Sequence, residues 1–91
     1  MPRPKKKRHI SFDPRVTYFK PRGIPLISLE EVELIYDELE ALRLKNVMGL
    51  EQAECAKKMK ISQSTFQRIL SQAYQKISEA LIRGKAIKIN K

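Results

Sequence analysis

Three glutamines at positions 63, 67 and 72 stand beside Arg68, with the short hydroxyls of Ser64, Thr65 and Ser71 between them. An amide donates and accepts at once, and a guanidinium grips a guanine edge or a phosphate with two parallel hydrogen bonds. Such a set has the chemistry of base-edge recognition, and from Lys60 to Ile77 no acid interrupts it. A second set is purely cationic. Arg3, Lys5, Lys6, Lys7 and Arg8 crowd a proline-rich start, where they can contact phosphates along a groove or serve as a solubilising tail. Both roles make binding salt-sensitive, and only groove placement makes sequence preference depend on this segment.

Other chemistries are poorly served. The single histidine, His9, has no neighbouring cysteine or histidine to share a metal, and it reads as a surface or phosphate-adjacent residue. The single cysteine, Cys55, excludes an intramolecular disulfide and reads as core filler. Glu30, Glu31, Glu33, Asp37, Glu38 and Glu40 read as helix starts and a solvated face, not as a general acid/base pair. There is no glycine-rich phosphate loop and no nucleophile–base arrangement. Neither an enzyme nor a cofactor or metal site is expected.

A base-reading face needs a helix to carry it. Ser62 is a good N-cap, because its hydroxyl can accept from the free amides of the next turn. From there a helix is predicted over 62–83, ended by Gly84. Phe66, Ile69, Leu70, Ala73, Ile77, Ala80 and Leu81 recur at three- and four-residue spacing along it, with Tyr74 beside the stripe. Before it, Leu50, Ala53, Ala56 and Met59 predict a short helix over 51–59. Earlier still, Leu39, Leu42 and Val47, with Leu44 alongside, predict a helix over 37–48 that ends at Gly49.

Residues 28–36 permit two readings. Ser28 with Glu31 fits a capping box, and so does Asp37 with Glu40. Either a helix opens at Ser28, or residues 30–36 are a short strand and the helix opens at Asp37. The second is preferred. Ala86–Ile89 alternates and suits a short strand, paired with 31–35 inside the chain or across a dimer. Prolines 2, 4, 14 and 21 forbid a continuous helix at the start, and Pro21-Arg-Gly23 reads as a turn. Val16, Tyr18 and Ile24 suit extended chain. The expected division is a basic arm over 1–27, mobile over 1–9 when free, and a helix-turn-helix domain over 28–91. The fold class is mainly all-α.

The whole chain has 91 residues and a formal charge of +9. One small domain fits that length. Residues 1–22 hold eight bases and one acid, residues 23–59 eight acids and four bases, and residues 60–91 seven bases and one acid. Two basic ends around an acidic middle favour a polyanion, with nucleic acid ahead of an anionic membrane. No apolar run reaches the roughly 18 residues of a membrane span. The basic start is not followed by the apolar segment of a signal peptide. A soluble, cytoplasmic protein is expected.

A short helix, a tight connection and a second helix with a polar leading face form the helix-turn-helix arrangement, whose second helix enters a major groove. The stretch Leu50–Ile77 resembles the helix-turn-helix of region 4 in bacterial sigma factors. That resemblance implies that Gln63, Ser64, Thr65, Gln67 and Arg68 face the groove, while Ala56, Ile61, Phe66 and Leu70 pack. Lys60, Ser71 and Gln72 join the arm as candidate phosphate or groove contacts. A longer resemblance rests on Pro2-Arg-Pro, Tyr18-Phe-Lys-Pro21, Gly23-Ile-Pro-Leu26, Asp37–Leu44, Ser62, Thr65-Phe66, Arg68-Ile-Leu70, Glu79-Ala-Leu81 and Gly84-Lys-Ala86. These are similar to the UPF0251 family, also called the domain of unknown function 134 family. The family is prokaryotic, and it is regarded as DNA-binding with a sigma-region-4-like fold. Some members carry a cysteine near position 7 and a second domain resembling iron–molybdenum cofactor handling proteins. Here position 7 is lysine, and these residues hold no second domain, so metal sensing is not expected.

The function expected is sequence-specific binding of double-stranded DNA in transcription regulation. One recognition helix covers few base pairs, so a homodimer is expected. Ile77, Leu81, Ile87 and Ile89 are its candidate interface, unless they finish the monomer core. The alternative is an interaction module in which the acidic 37–48 region docks a transcription component.

Overall fold

The computed structural model describes residue 10 and residues 12–90. The order is β1 (Tyr18–Phe19), a 3-10 turn (Leu26–Ser28), β2 (Glu31–Ile35), α1 (Tyr36–Leu42), a π-helical turn (Arg43–Val47), α2 (Gln52–Met59), α3 (Gln63–Arg83) and β3 (Ala86–Asn90). The fold is mostly helical, with one small open sheet. The expected arm cluster Arg3, Lys5, Lys6, Lys7 and Arg8, and the mobility expected of 1–9, lie outside the described residues.

Alternation makes the strands. Val32 and Leu34 of β2 are buried, and Glu31, Glu33 and Ile35 are exposed. The sheet order is β1-β3-β2. β2 and β3 are parallel, in register from Glu31↔Ala86 to Ile35↔Asn90. The pairing expected of 31–35 with the tail is therefore made inside the chain. A parallel pair needs a long crossover, and here the crossover is the whole helical unit. β1 pairs antiparallel with β3, Tyr18 opposite Lys88 and Phe19 opposite Ile87. Part of the segment expected as an arm is thus a strand of the sheet. Two tyrosines tie it down further. Tyr18 donates to Glu31 at 2.6 Å and Tyr36 to Asp13 at 2.8 Å. The Glu31 bond raises the Tyr18 phenol above its ordinary value, and desolvation followed by the Asp13 bond raises that of Tyr36. The Arg43 guanidinium lies over the Phe12 ring, 5.7 Å from its centre.

α1 begins one residue before Asp37, and the Asp37–Glu40 box does not form. Ile35 occupies the N-cap, and its N–H donates to Glu38 at 3.1 Å. Ile35 has no acceptor of its own, so only the returning half of a capping box exists. Glu38 and Glu40, expected on a solvated face, are buried. Lys76 reaches from α3 to Glu38 at 2.9 Å and to the Glu33 carbonyl at 2.7 Å. Arg43 grips Glu40 at 2.9 and 3.0 Å, which holds the guanidinium above its ordinary range. Buried carboxylates persist only when paired in this way.

After Leu42 the helix widens to i→i−5 bonding, as in Met48 N–H to Arg43 O at 2.8 Å. A π turn holds an extra residue and rotates the residues after it about the helix axis. Leu44 stays buried, and Val47, expected in the core, is turned out to solvent.

Two clusters make the core. Ala41, Leu44, Cys55, Ala56, Met59, Phe66, Ile69 and Leu70 join α1, α2 and the first half of α3. Leu34, Ala73 and Ile89, with Tyr36, Leu39, Leu42, Ile77 and Ile87 around them, join the sheet to the second half of α3. Cys55 is filler, as expected. Its Sγ approaches Leu50 O at 3.7 Å, and burial pushes its thiol up. Ala53 and Leu81 depart from their expected stripes and are exposed. Of the expected dimer residues, Ile77, Ile87 and Ile89 belong to the second cluster, because β3 folds back over α3.

Candidate nucleic-acid interface

The connection between α2 and α3 is three residues, Lys60, Ile61 and Ser62. α2 ends because Lys60 takes the left-handed conformation, φ 59°. Ile61 N–H then bonds Ala56 O at 3.0 Å, and Lys60 N–H bonds Lys57 O at 3.1 Å. This is a Schellman motif, and Ile61 packs against the first cluster to complete it. Ser62 then turns the chain back into helix. Its Oγ accepts from Thr65 N–H at 3.1 Å and donates to Thr65 Oγ1 at 2.9 Å. Ser64 Oγ lies 3.3 Å from Ser62 Oγ. The two ends of the turn fix the angle at which α3 leaves α2. Cys55, Ala56 and Met59 of α2 then pack with Phe66, Ile69 and Leu70. This packing is consistent with a helix-turn-helix arrangement.

α3 has 21 residues, about 31 Å of helix. Its inner face is buried through Phe66, Ile69, Leu70, Ala73 and Ala80. On its outer face, Gln63, Ser64, Gln67, Arg68, Ser71 and Gln72 are all exposed. The structure therefore gathers these residues along the first three turns of one helix. Thr65 differs from the expected groove-facing set. It is half-buried, and its hydroxyl is committed to the Ser62 cap.

Lys60 is exposed beside this face, and Lys57 and Lys58 of the last turn of α2 are exposed with it. The last two were not singled out in the sequence, although their place in a basic final turn was visible there. Among the described residues these three lysines and Arg68 make no ion pair. The acids of α2, Glu51 at its N-cap and Glu54 in its first turn, line a surface cleft with Lys57. Lys58, Lys60 and Arg68 add exposed positive charge beside the neutral hydrogen-bonding side chains of α3. The helix expected to offer an acidic docking face has instead turned Glu38 and Glu40 inward.

The far end of α3 is knitted to the sheet. Gly84 ends the helix at φ 67°, and Lys85 N–H bonds Ala80 O at 2.9 Å. Lys85 Nζ lies 2.6 Å from Glu79 and 3.6 Å from Glu30. The Glu79 bond holds the Lys85 ammonium above its ordinary value, and the same bond holds the Glu79 carboxyl below its own. Among the described residues no group of three or more His, Cys, Asp or Glu side chains could hold a metal ion. No helix formed by them is long and apolar enough to cross a membrane.

Comparison with known proteins places this arrangement in a lineage. A family described as "Protein of unknown function DUF134" matches residues 1–91. A UPF0251 protein of Caldanaerobacter subterraneus subsp. tengcongensis is 60% identical over 89 residues, which span 98% of this chain and 75% of the relative. A UPF0251 protein of Thermoanaerobacter pseudethanolicus is 54% identical, with the same coverage of each chain. One of Dehalococcoides mccartyi is 57% identical over 98% of this chain and 76% of its own length. No solved structure matches. With the family matched from end to end, and relatives more than half identical over nearly all of it, the chain belongs to the DUF134, or UPF0251, family.

Proposed function

We propose that this protein reads double-stranded DNA, with the start of α3 in the major groove, and acts as a transcription regulator. The observation that carries the reading is the exposed face of Gln63, Ser64, Gln67 and Arg68. It holds no acid, and the loose lysines 57, 58 and 60 lie next to it. Base edges need paired donors and acceptors, which glutamine and arginine supply. Phosphates on either side need cations that are not already spent on the fold. Ser71 and Gln72 extend the face toward the groove wall, and the segment holding Arg3, Lys5, Lys6, Lys7 and Arg8 adds phosphate contacts. In this reading the protein binds and does not catalyse.

The test is selection from a randomised duplex pool with the full chain at near-physiological salt. The expected result is an enriched motif that the Gln67→Ala, Arg68→Ala double variant no longer selects. Removing each bidentate pair should take away about 1–3 kcal/mol of discrimination. Both side chains are exposed, so the unfolding midpoint should stay within about 0.5 kcal/mol of wild type. Salt-dependent retention without enrichment would sink base reading and leave α3 as a phosphate-binding surface.

A further inference from the structure

Several large apolar side chains stay exposed among the described residues, and one group of them runs from the π turn along α3. Val47 and Met48, at the end of the π turn, are 78% and 56% exposed. Asn46 beside them accepts from the Tyr74 hydroxyl at 2.9 Å, which joins the π turn to α3. Tyr74 is 42% exposed, and further along the same helix Leu81 and Ile82 are 73% and 84% exposed. Between Tyr74 and Ile82 the small Ser78 leaves an open trough of about 560 Å³. None of these seven residues is charged. Glu79 and Arg83 stand at the margin of the trough, with opposite signs, and Glu79 is already bonded to Lys85.

Charge decides what can cover this strip. Nucleic acid would need cations on it, and a strongly charged protein would need counter-charges. A second copy of this chain meets the opposite difficulty. It carries +9 as well, and the two repel over most of their surfaces. Only a neutral, apolar face lets two such chains approach, and a two-fold pair presents the same face from both sides. Size sets the strength of that contact. Seven side chains fall far short of the roughly 20–30 residues a side found in stable complexes. The face is too small to hold two cations together in dilute solution and supports only weak association. On a duplex, the phosphates offset the repulsion, and neighbouring sites raise the effective concentration.

We propose that the Val47, Met48, Tyr74, Leu81 and Ile82 face joins two copies of the chain when both are seated on one DNA duplex. The proposal rests on the DNA-reading role of α3 and adds the partner. It also replaces Ile77, Ile87 and Ile89, which the monomer core has claimed, with side chains that the fold leaves open.

The experiment uses the full chain, a Leu81→Gln, Ile82→Gln variant and a Val47→Gln, Met48→Gln variant. All four changes are on exposed residues and leave net charge unchanged. Binding is measured to a duplex with one selected site and to duplexes with two sites at stepped spacings. Wild type should bind the second site about tenfold tighter than the first at a favoured spacing. Both variants should lose that coupling while keeping single-site affinity within about twofold. Equal affinity for both sites at every spacing would overturn the proposal. So would coupling that survives in both variants, or single-site binding that falls with the substitutions, since the strip would then face DNA. Sedimentation without DNA judges the face by itself. Wild type should be monomeric at about 1 µM and associate toward about 1 mM, and the variants should stay monomeric. Wild type that remains monomeric throughout, or that is already a stable dimer at the low end, overturns the proposal. Failure to select any DNA sequence would count against the DNA-reading role, and the sedimentation series would still decide whether the face is self-associating.

Discussion

The two halves of α3 treat their basic neighbours in opposite ways. Along the second half, Lys76 is bound to Glu38 and to a backbone carbonyl of β2, and Lys85 is bound to Glu79 and Glu30. At the first half, Lys57, Lys58, Lys60 and Arg68 are exposed and make no ion pair among the described residues. The same side-chain types therefore do different work a few turns apart. Where a lysine reaches a buried carboxylate it closes the fold, since an unpaired charge there would be costly. Where lysines stand loose in water they add little to stability and stay available to a polyanion. Substitutions in the second half should thus act on folding, and those in the first half on binding.

The largest effect expected from this division is at Lys76. Lys76→Met leaves Glu38 buried with, among the described residues, only the Ile35 N–H against it and strips a donor from the Glu33 carbonyl. Breaking a buried pair from one side costs about 3–5 kcal/mol, and Lys76 is 34% exposed, which favours the lower figure. Urea denaturation should show a loss of about 3 kcal/mol, a large share of a small domain's stability. Lys57→Met should change stability by less than about 0.5 kcal/mol. Similar losses at the two positions would erase the distinction between the halves.

Parts of this division were legible in the sequence. The bounds of α3 follow from a serine cap, a closing glycine and apolar side chains at three- and four-residue spacing, all of them local signals. The strands at 31–35 and 86–90 follow from alternation. Their pairing was expected, but its parallel direction and its closure within the chain were not legible, because they join segments more than fifty residues apart and depend on the helices between them. For β1 the sequence offered extended chain at Tyr18 and no pairing, since two residues carry no periodic signal and pair only because β3 arrives beside them. The inward turn of Glu38 and Glu40 was hidden too. A buried glutamate and a solvated one look alike until the partner is known, and for Glu38 the partner is Lys76, on another helix. One clue was present, because Glu38 and Glu40 sit within one turn of Ala41 and Leu44, which any inward helix face would include. The π turn that exposes Val47 left no trace in the spacing. The polar outer face of α3 was legible for six of its residues. Thr65 is half-buried instead, because its hydroxyl has a nearer use at the cap.

The next effect in size sharpens the loose side of the comparison. With Lys57, Lys58 and Lys60 all changed to Gln, the slope of log K against log salt should flatten by about 2.7, or about 0.9 for each phosphate no longer neutralised. The selected motif should stay the same, since these side chains touch backbone and not bases. A slope that does not move would mean that these lysines face away from DNA. A changed motif would mean that a lysine reads a base edge.

The smallest effect is the most discriminating, because stability and binding should move in opposite directions. Lys60 is the one non-glycine among the described residues with positive φ. A side chain in that conformation costs about 1–2 kcal/mol, whereas glycine takes it freely. Glycine also has more freedom to lose on folding, which offsets part of the gain. Lys60→Gly should therefore raise unfolding stability by about 0.5 kcal/mol and lower the salt slope by about 0.9. Lys60→Asn, which tolerates left-handed backbone and also removes the charge, should lower the slope equally with little change in stability. A glycine variant that is more stable and binds as well as wild type would mean that the strained lysine has no electrostatic role in the turn. The comparison would then rest on Lys57, Lys58 and Arg68, whose backbones are ordinary helix and whose exposure involves no strain.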